Sequence, residues 1–327
     1  MADRSTLTDE GIIEVPGMLS RWVRLGSGAR AHYMTSGETG PAVILLHGGI
    51  TGSSGLAGWR FMAPFLGENG FRVYAPDLPG FGLADTSPEH RPRSYAAYVD
   101  FIKDFAQALC LDRFHLAGNS MGCGNTVNYV CNHPEDVISF ALIAGPVGDV
   151  APHVPIDDDA KKKLMAFDGS PESMRAMMAG IIYRDEAVTD DLIAMRTTQA
   201  LAQKESYSAI PPSFLGWVAG RSDPVTSARL KTKGRLDVCG VPGIYLYGRN
   251  DVILPVENGF GLEPYLPDVQ FFYPDECGHQ GQTDQPEMFN QVFLEFFRDG
   301  KVARKTADWA GVSDRRPELP ALVEQSG

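Results

Sequence analysis

A serine between glycines lies where an apolar segment gives way to a helical pattern. The pentapeptide GNSMG at 118–122 has Ser120 at its centre and follows the apolar run at 113–118. An amphipathic stretch comes next, from about 121 to 133. In this strand-to-helix context G-x-S-x-G is typical of a nucleophile elbow, a sharp turn that exposes the serine hydroxyl. Because the pentapeptide alone also fits an ordinary glycine-rich turn, its interpretation depends on residues elsewhere.

A second glycine-rich turn can supply hydrogen-bond donors to a developing negative charge. His47-Gly48-Gly49 follows the apolar run AVILL at 42–46. The backbone N–H of Gly49 and the N–H of Met121, directly after the serine, are placed to stabilise an oxyanion. We therefore predict an oxyanion hole from these two groups, although a flexible loop is the alternative for the glycines.

The catalytic base and acid are selected by their positions after strands. His279 follows the last predicted core strand, and Asp251 follows the predicted strand at 243–248. The chain order Ser120, Asp251, His279 is the order in which this kind of fold carries a serine triad. We predict that His279 is the general base and that Asp251 orients it. The other six histidines are His32, His47, His90, His115, His133 and His153, of which His47 is expected to orient its own loop.

The elements that position these residues are strands alternating with helices. Two segments at 21–25 and 30–35 alternate like half-buried edge strands. The later apolar runs lie at 42–46, 71–76, 113–118, 137–145, 243–248 and 269–274, and helical patterns at about 94–110, 121–133 and 284–298. This rhythm predicts an α/β fold with a mostly parallel eight-stranded sheet flanked by helices.

The strand rhythm stops after the sixth strand and resumes at Val241, which indicates a helical insertion. Ser170 begins one predicted helix, to about Tyr183, and Thr189 begins another, to about Gln203. We therefore predict a lid rather than a separate domain. The predicted organisation is an N-terminal arm at 1–19, a core at 20–146 and 237–299, a helical lid at 147–236 and a C-terminal tail at 300–327. The tail either packs across a neighbouring subunit or is exposed and disordered.

Composition excludes several classes of function. The net charge is −12, which disfavours nucleic acid and anionic membrane surfaces as partners. Five scattered cysteines without a C-x-x-C pair give no support for a disulfide framework or a structural zinc site. No metal constellation and no dinucleotide fingerprint follow a strand, so no metal or cofactor is expected. The first residues carry no signal-peptide pattern. A small-molecule substrate and a cytoplasmic location are expected.

Over roughly residues 20–298 the chain resembles the α/β-hydrolase superfamily, including its loop DLPGFG at 77–82. More narrowly, HGGITG, GNSMGCG, CGHQ and the lid segments MAFDGS and DDLIAMR resemble the meta-cleavage-product hydrolases. Those enzymes cleave a C–C bond in 2-hydroxy-6-oxohexa-2,4-dienoates left by aromatic ring opening. The resemblance implies the α/β-hydrolase fold, this reaction and a homo-oligomer.

Arg196 is the residue of the lid that points most directly to a substrate. It shares a helix face with Leu192, Ile193 and Ala200, so a buried guanidinium there needs an anionic partner. The resemblance implies that it anchors the carboxylate of the dienoate, which suits bidentate arginine geometry. An ion pair with Asp190 or with an acid at the sheet edge is the alternative.

Three further residues are predicted to line the substrate site. The resemblance implies that Asn119 helps to hold the 2-oxo or carboxylate end, while hydrogen bonding within the elbow is its alternative role. Gly48 lies beside the predicted oxyanion hole. Gln280 stands where the family usually has tryptophan after the catalytic histidine, and it replaces an aromatic wall by an amide.

Two other functions use the same residues or fold. A carboxylesterase or lactonase needs the triad but gives Arg196 only a structural role. Cofactor-free oxygenases and non-catalytic receptors share the fold, but they often lose the serine or alter the acid, and all three triad positions are intact here. C–C bond hydrolysis is therefore the leading hypothesis, with ester hydrolysis as the alternative.

Overall fold

The computed structural model describes residues 7–92, 94–152, 154, 158–208 and 224–316. Parts of the predicted arm, lid and tail therefore lie outside the described residues, as does His153. Among the described residues, no helix is both long enough and apolar enough to cross a membrane.

Eight strands form one twisted sheet, in the spatial order β1-β2-β4-β3-β5-β6-β7-β8. The two strands β1 and β2 run antiparallel to their neighbours, and the remaining neighbouring strands are parallel. The prediction of a mostly parallel eight-stranded sheet is confirmed. The strands are β1 (Leu19–Arg24), β2 (Arg30–Ser36), β3 (Ala42–Leu46), β4 (Arg72–Pro76), β5 (Phe114–Asn119), β6 (Val137–Ile143), β7 (Gly243–Leu246) and β8 (Val269–Phe272).

Helices cover the sheet, so that every residue of β3, β7 and β8 is buried. The helices α2 and α12 pack together, and so do α3 and α4. Helix α4 also packs on β5 and β6. They are α1 (Gly55–Trp59), α2 (Met62–Glu68), α3 (Ala96–Ala108), α4 (Met121–Asn132), α5 (Asp158–Leu164), α6 (Pro171–Ala179), α7 (Asp190–Ala202), α8 (Lys204–Ser208), α9 (Pro224–Leu230), α10 (Glu257–Leu262), α11 (Gly281–Asp284), α12 (Pro286–Asp299) and α13 (Arg304–Trp309).

The insertion after β6 is helical over its described residues. The hydroxyl of Ser170 accepts a hydrogen bond from the N–H of Ser173 at 3.2 Å and caps α6. Thr189 caps α7 in the same way. Helix α6 ends at Ala179, earlier than predicted, because the chain after Gly180 turns and Ile181 O accepts a hydrogen bond from the N–H of His279.

The described part of the tail packs on its own chain. Val312 forms an antiparallel bridge with Phe272 of β8. On either side of it, the N–H of Ser313 donates to Phe271 O at 3.0 Å, and the N–H of Tyr273 donates to Gly311 O at 2.7 Å. Residues 311–313 therefore cover the outer edge of β8, so the alternative of an exposed, disordered tail does not describe this part of it. Packing across a neighbouring subunit stays a prediction.

Candidate active site

The turn between β5 and α4 is strained at a single residue. Ser120 has φ 55° and ψ −119°, a backbone conformation that non-glycine residues rarely adopt. Two glycines let the turn close. A Cβ on Gly118 would lie 2.1 Å from Gly122 O, and a Cβ on Gly122 would lie 2.3 Å from Leu46 O. The serine is therefore held at the carboxyl edge of the sheet with its side chain directed away from the strand, as an elbow requires.

The three residues predicted as a triad meet at this edge. The Nε2 atom of His279 lies 2.8 Å from Ser120 Oγ, and its Nδ1 atom lies 2.7 Å from Asp251 Oδ2. Both partners of the second contact are buried. The described geometry allows the imidazole to accept the serine proton while the carboxylate stabilises the resulting imidazolium.

Asp251 is oriented by its own backbone. Its Oδ1 atom accepts hydrogen bonds from the N–H groups of Ile253 at 2.8 Å and Leu254 at 2.9 Å. Because Oδ1 is occupied in this way, Oδ2 is left to face His279. A neutral His279 then carries its proton on Nδ1 and presents an unprotonated Nε2 to the serine.

Asn119 joins the elbow to the loop that carries the histidine. Its Nδ2 atom donates to Ile143 O and to His279 O, each at 3.0 Å. Both donors of the amide are therefore used within the protein, which corresponds to the alternative of hydrogen bonding within the elbow. This contact fixes the peptide carbonyl of His279 relative to Ser120.

Gly49 and Met121 lie against one another beside the serine. A Cβ on Gly49 would be 3.0 Å from Met121 Cβ, and a Cβ on Gly48 would be 3.3 Å from Ser120 Cβ. No described residue accepts a hydrogen bond from the N–H of Gly49 or of Met121. For Met121 this is the usual state of the first residue of a helix. Two backbone donors thus remain available next to Ser120, the predicted nucleophile.

His47 fixes the loop that carries Gly48 and Gly49. Its Nδ1 donates to Gly48 O at 2.7 Å, and its Nε2 accepts from the N–H of Leu78 at 2.9 Å. Burial lowers the pKa of His47 to about 4, so the ring is neutral at pH 7. These contacts agree with the expectation that His47 orients its own loop.

Arg196 is buried, with only 1% of its surface exposed, and lacks an acidic partner among the described residues. Its Nη2 donates to Ser53 Oγ at 3.2 Å, whereas its Nε is buried and has no hydrogen-bond partner among the described residues. Burial, together with the neighbouring cation of Arg60, lowers the pKa of Arg196 to about 9. The alternative of an ion pair with Asp190 is wrong, because Asp190 pairs with Arg175.

The loop that carries Ser53, the partner of Arg196, continues from Gly49 of the predicted oxyanion hole. A Cβ on Gly52 would lie 2.5 Å from Arg196 O, so α7 packs directly on the chain that continues from Gly49. Arg196 is thus held against the loop that follows Gly49.

Gln280 is buried beside the histidine, with 4% of its surface exposed, and its amide makes no hydrogen bond with another described residue. Gln282, two residues later, donates weakly to Gly58 O at 3.4 Å. The amide of Gln280 is thus available to a ligand, whereas both N–H donors of the Asn119 amide are used within the protein.

Three residues with contacts near the site were not singled out from the sequence. Ser53 contacts Arg196, and the hydroxyl of Tyr207 in α8 donates to Gly49 O at 3.4 Å. The carboxylate of Asp284 contacts Gly278, beside the histidine. No motif marks them, since each becomes informative only through contacts between distant segments.

Within the described residues, the side chains close enough to share a metal ion are His133, Glu135 and Asp136. The carboxylate of Asp136 already accepts hydrogen bonds from Lys103 at 2.7 Å and Tyr129 at 2.6 Å. This cluster follows α4 and contains no residue of the triad.

Known proteins share both the sequence and the architecture. A family model for the alpha/beta hydrolase fold matches residues 41–178. The 2-hydroxy-6-oxo-6-phenylhexa-2,4-dienoate hydrolase of Comamonas testosteroni is 30% identical over 271 residues, covering 82% of this chain and 91% of that protein. The 2-hydroxy-6-oxononadienedioate/2-hydroxy-6-oxononatrienedioate hydrolase 1 of Pseudomonas putida is 29% identical over 286 residues, covering 85% and 96%.

A solved structure agrees with these relatives. The meta-cleavage product hydrolase CumD from Pseudomonas fluorescens IP01, determined as a serine-to-alanine mutant complexed with acetates, is 26% identical. It matches with a TM-score of 0.73 over 86% of this chain and 98% of that chain. The chain is an α/β-hydrolase, and it belongs to the meta-cleavage-product hydrolases.

Proposed function

We propose that this enzyme hydrolyses a C–C bond in a 2-hydroxy-6-oxo-dienoate, a ring-cleavage product of aromatic catabolism. The observation that carries the proposal is the buried guanidinium of Arg196, which has no acidic partner among the described residues and packs on the oxyanion loop. An uncompensated buried cation is costly, so a site that retains one is suited to an anionic substrate. Simple ester hydrolysis requires the triad but not this cation.

In the proposed reaction, His279 first relays a proton from the 2-hydroxyl of the dienoate to carbon 5. The resulting ketone at carbon 2 can accept the electron pair of the bond between carbons 5 and 6 when that bond breaks. Ser120 adds to the carbonyl at carbon 6, with its proton taken by His279. The N–H groups of Gly49 and Met121 stabilise the oxyanion. When this adduct collapses, the bond between carbons 5 and 6 breaks, its electron pair passes to the oxygen at carbon 2, and the proton on His279 passes to the departing dienolate. Water, deprotonated by His279, then hydrolyses the acyl-enzyme to the carboxylic acid and free Ser120.

The polar end of the substrate is proposed to lie between the elbow and the lid. Arg196 binds the carboxylate, and Gln280 supplies an amide near the 2-oxo group. Gly48 and Asn119 form the adjoining wall. Support comes from the free amide of Gln280 and from the packing of Gly48 on Ser120. The substitution of tryptophan by Gln280 favours substrates with more polar character at this end.

Several features of the whole enzyme are part of the same proposal. Residues 147–236 act as a lid over the site, and a homo-oligomer working in the cytoplasm is the expected form. The family resemblance supports the oligomer, and the contact of Tyr207 with Gly49 supports the lid. Light scattering coupled to size-exclusion chromatography measures the oligomeric state directly.

The experiment compares two substrates with four proteins. Loss of colour from 2-hydroxy-6-oxo-6-phenylhexadienoate reports C–C cleavage, and p-nitrophenol release from a short ester reports esterase activity. Ser120→Ala is expected to abolish both reactions. Arg196→Met is expected to lower kcat/KM for the dienoate by about a hundredfold, because it removes charged hydrogen bonds to the carboxylate. It leaves ester turnover within about threefold.

Arg175→Ala is the matched control, since Arg175 belongs to the neighbouring lid helix but is paired with Asp190. It should leave both reactions unchanged. A second readout is the unfolding temperature of Arg196→Met, which should not fall, because the replaced cation has no acidic partner among the described residues. Ester turnover that needs Ser120, with no dienoate loss in the wild type, would instead identify a carboxylesterase.

A further inference from the structure

The loop that carries His279 is hydrogen-bonded to the lid on one side and to the elbow on the other. The N–H of His279 donates to Ile181 O at 2.9 Å, in the segment that follows α6. Its carbonyl accepts the amide of Asn119 at 3.0 Å. The peptide groups around the base thus depend on a lid segment as well as on the sheet.

A buried carboxylate also connects the loop of His279 to the lid segment, and we call this meeting point the junction. Asp284, at the end of α11, has 2% of its surface exposed. Its Oδ2 accepts from the N–H of Gly278 at 2.8 Å, and its Oδ1 accepts from the N–H of Arg184 at 2.9 Å. One side chain therefore bridges the residue before the base and the lid segment that contacts the base.

Asp284 forms no ion pair with another described residue. The guanidinium of Arg184 is directed to Glu276, an exposed acid, at 3.5 Å. Burial raises the pKa of Asp284, while hydrogen bonds from the backbone of Arg184, Gly278 and Tyr183 act in the opposite direction. The carboxyl is thus buried without a salt bridge, and the backbone hydrogen bonds that offset the cost of burying it also connect the loop of His279 to the lid segment.

The junction has no spare room. A Cβ on Gly278 would lie 2.8 Å from Ile181 O, 3.1 Å from Tyr183 N and 3.3 Å from Asp284 Oδ2. Glycine at this position allows the lid segment, the base loop and the carboxylate to meet at van der Waals distance. A shift of the lid segment would therefore be transmitted to the peptide of His279.

We propose that Asp284 is a positioning residue. It ties the lid segment 181–184 to the loop of His279, so that the imidazole is aligned with Ser120 only when this segment is packed against that loop. The inference rests on the proposed role of His279 as general base. Asp284 itself contacts no substrate in this scheme. Its effect is on the orientation of the imidazole, through Gly278 and the backbone of His279.

The test measures the reactivity of Ser120 with a fluorophosphonate probe, which needs the base but not the dienoate. Asp284→Asn places an amide donor against a backbone donor and breaks one of the two bridging hydrogen bonds. We expect the labelling rate constant to fall about tenfold or more, because small displacements of a catalytic group are costly. Trypsin should also cleave faster after Arg184, which mass spectrometry of the fragments detects.

Gly278→Ala should act in the same direction, since it separates the same segments by a different change. Glu276→Gln is the matched control, because it removes the exposed contact to Arg184 and leaves the bridge intact. Titration with the probe first gives the fraction of active sites. A purely structural role for Asp284 would lower this fraction but leave the rate constant per titrated site unchanged, and that result would overturn the proposal.

The wild-type dienoate assay separates this inference from the proposed function. In one outcome the wild type does not cleave the dienoate, but its Ser120 is labelled fast, whereas Ser120 of the Asp284→Asn protein is labelled slowly. The reaction assignment then fails and the positioning role stands. If the wild type cleaves the dienoate and Asp284→Asn matches it in kcat, KM and labelling rate, the positioning role fails alone.

Discussion

Ser120 owes its position to an unfavourable backbone conformation that its neighbours maintain. Ser120 has φ 55°, and its hydroxyl meets an imidazole already oriented by Asp251. The positions of Ser120, Asp251 and His279 after strands could be derived from the sequence, because strand ends of a parallel sheet meet at one edge. Their catalytic roles stay predictions. The partner of Arg196 could not be derived, since helix periodicity gives the face of a residue but not what lies opposite it.

At the residue scale, Asp251→Asn tests how the base is oriented. The amide keeps the size of the side chain but presents a donor to Nδ1, which favours the wrong tautomer of His279. We expect kcat to fall by about 10⁴-fold, as in serine hydrolases where the corresponding acid is replaced. Stopped-flow measurement of acyl-enzyme formation checks this, with circular dichroism to verify the fold. Retention of more than a tenth of wild-type kcat would contradict the role given to Asp251.

At the scale of elements, long periodic segments were predictable and short ones were not. Helices α3, α4 and α12 and the six strands β3–β8 agree with their predicted segments to within a few residues. Helix α1 has five residues, too few to show a repeat, and its beginning depends on a cap by Ser54. The lid helices were placed by the caps Ser170 and Thr189, but the turn after Gly180 depends on a contact with the distant loop of His279.

The close contact between β5 and α4 predicts that a single methyl group added at Gly118 strongly lowers the free energy of unfolding. Gly118→Ala would place a Cβ 2.1 Å from Gly122 O and 2.7 Å from Cys123 N, both of them backbone atoms. The strand and helix must separate, and we expect a loss of about 3 kcal/mol in the free energy of unfolding. Urea unfolding followed by tryptophan fluorescence measures it.

Gly261→Ala is the control for that substitution. Gly261 lies in helix α10, and a Cβ there meets nothing within 4 Å. Alanine should therefore stabilise the protein by about 0.5–1 kcal/mol through its helix preference. Equal destabilisation by both changes would show that glycine content, and not the close approach at the elbow, governs the result.

For the whole molecule, two buried histidines predict how stability depends on pH. Burial lowers the pKa of His47 and of His115 to about 4 from an ordinary value of 6.5. The unfolded chain therefore binds more protons than the folded one between these values. Stability is fully present above pH 6.5 and is lost as the pH falls towards 4, by up to about 1.4 kcal/mol per pH unit for each histidine.

Replacement of one histidine tests this dependence. His115 stacks on Phe297, with ring centroids 4.7 Å apart, so His115→Phe removes the titration and keeps an aromatic ring. Urea unfolding at several pH values between about 7 and 5 should give a shallower slope for the variant. An unchanged slope would exclude His115 as a source of the acid sensitivity.

The predicted triad draws its members from widely separated parts of the chain. Ser120 and His279 are 159 positions apart, and the strands β7 and β8 that place Asp251 and His279 are the last to be added to the sheet. A nascent chain on the ribosome consequently presents the serine long before its base exists. If the predicted triad is catalytic, hydrolysis can begin only after residue 279 has been synthesised, so the order of translation separates the appearance of Ser120 from the onset of activity.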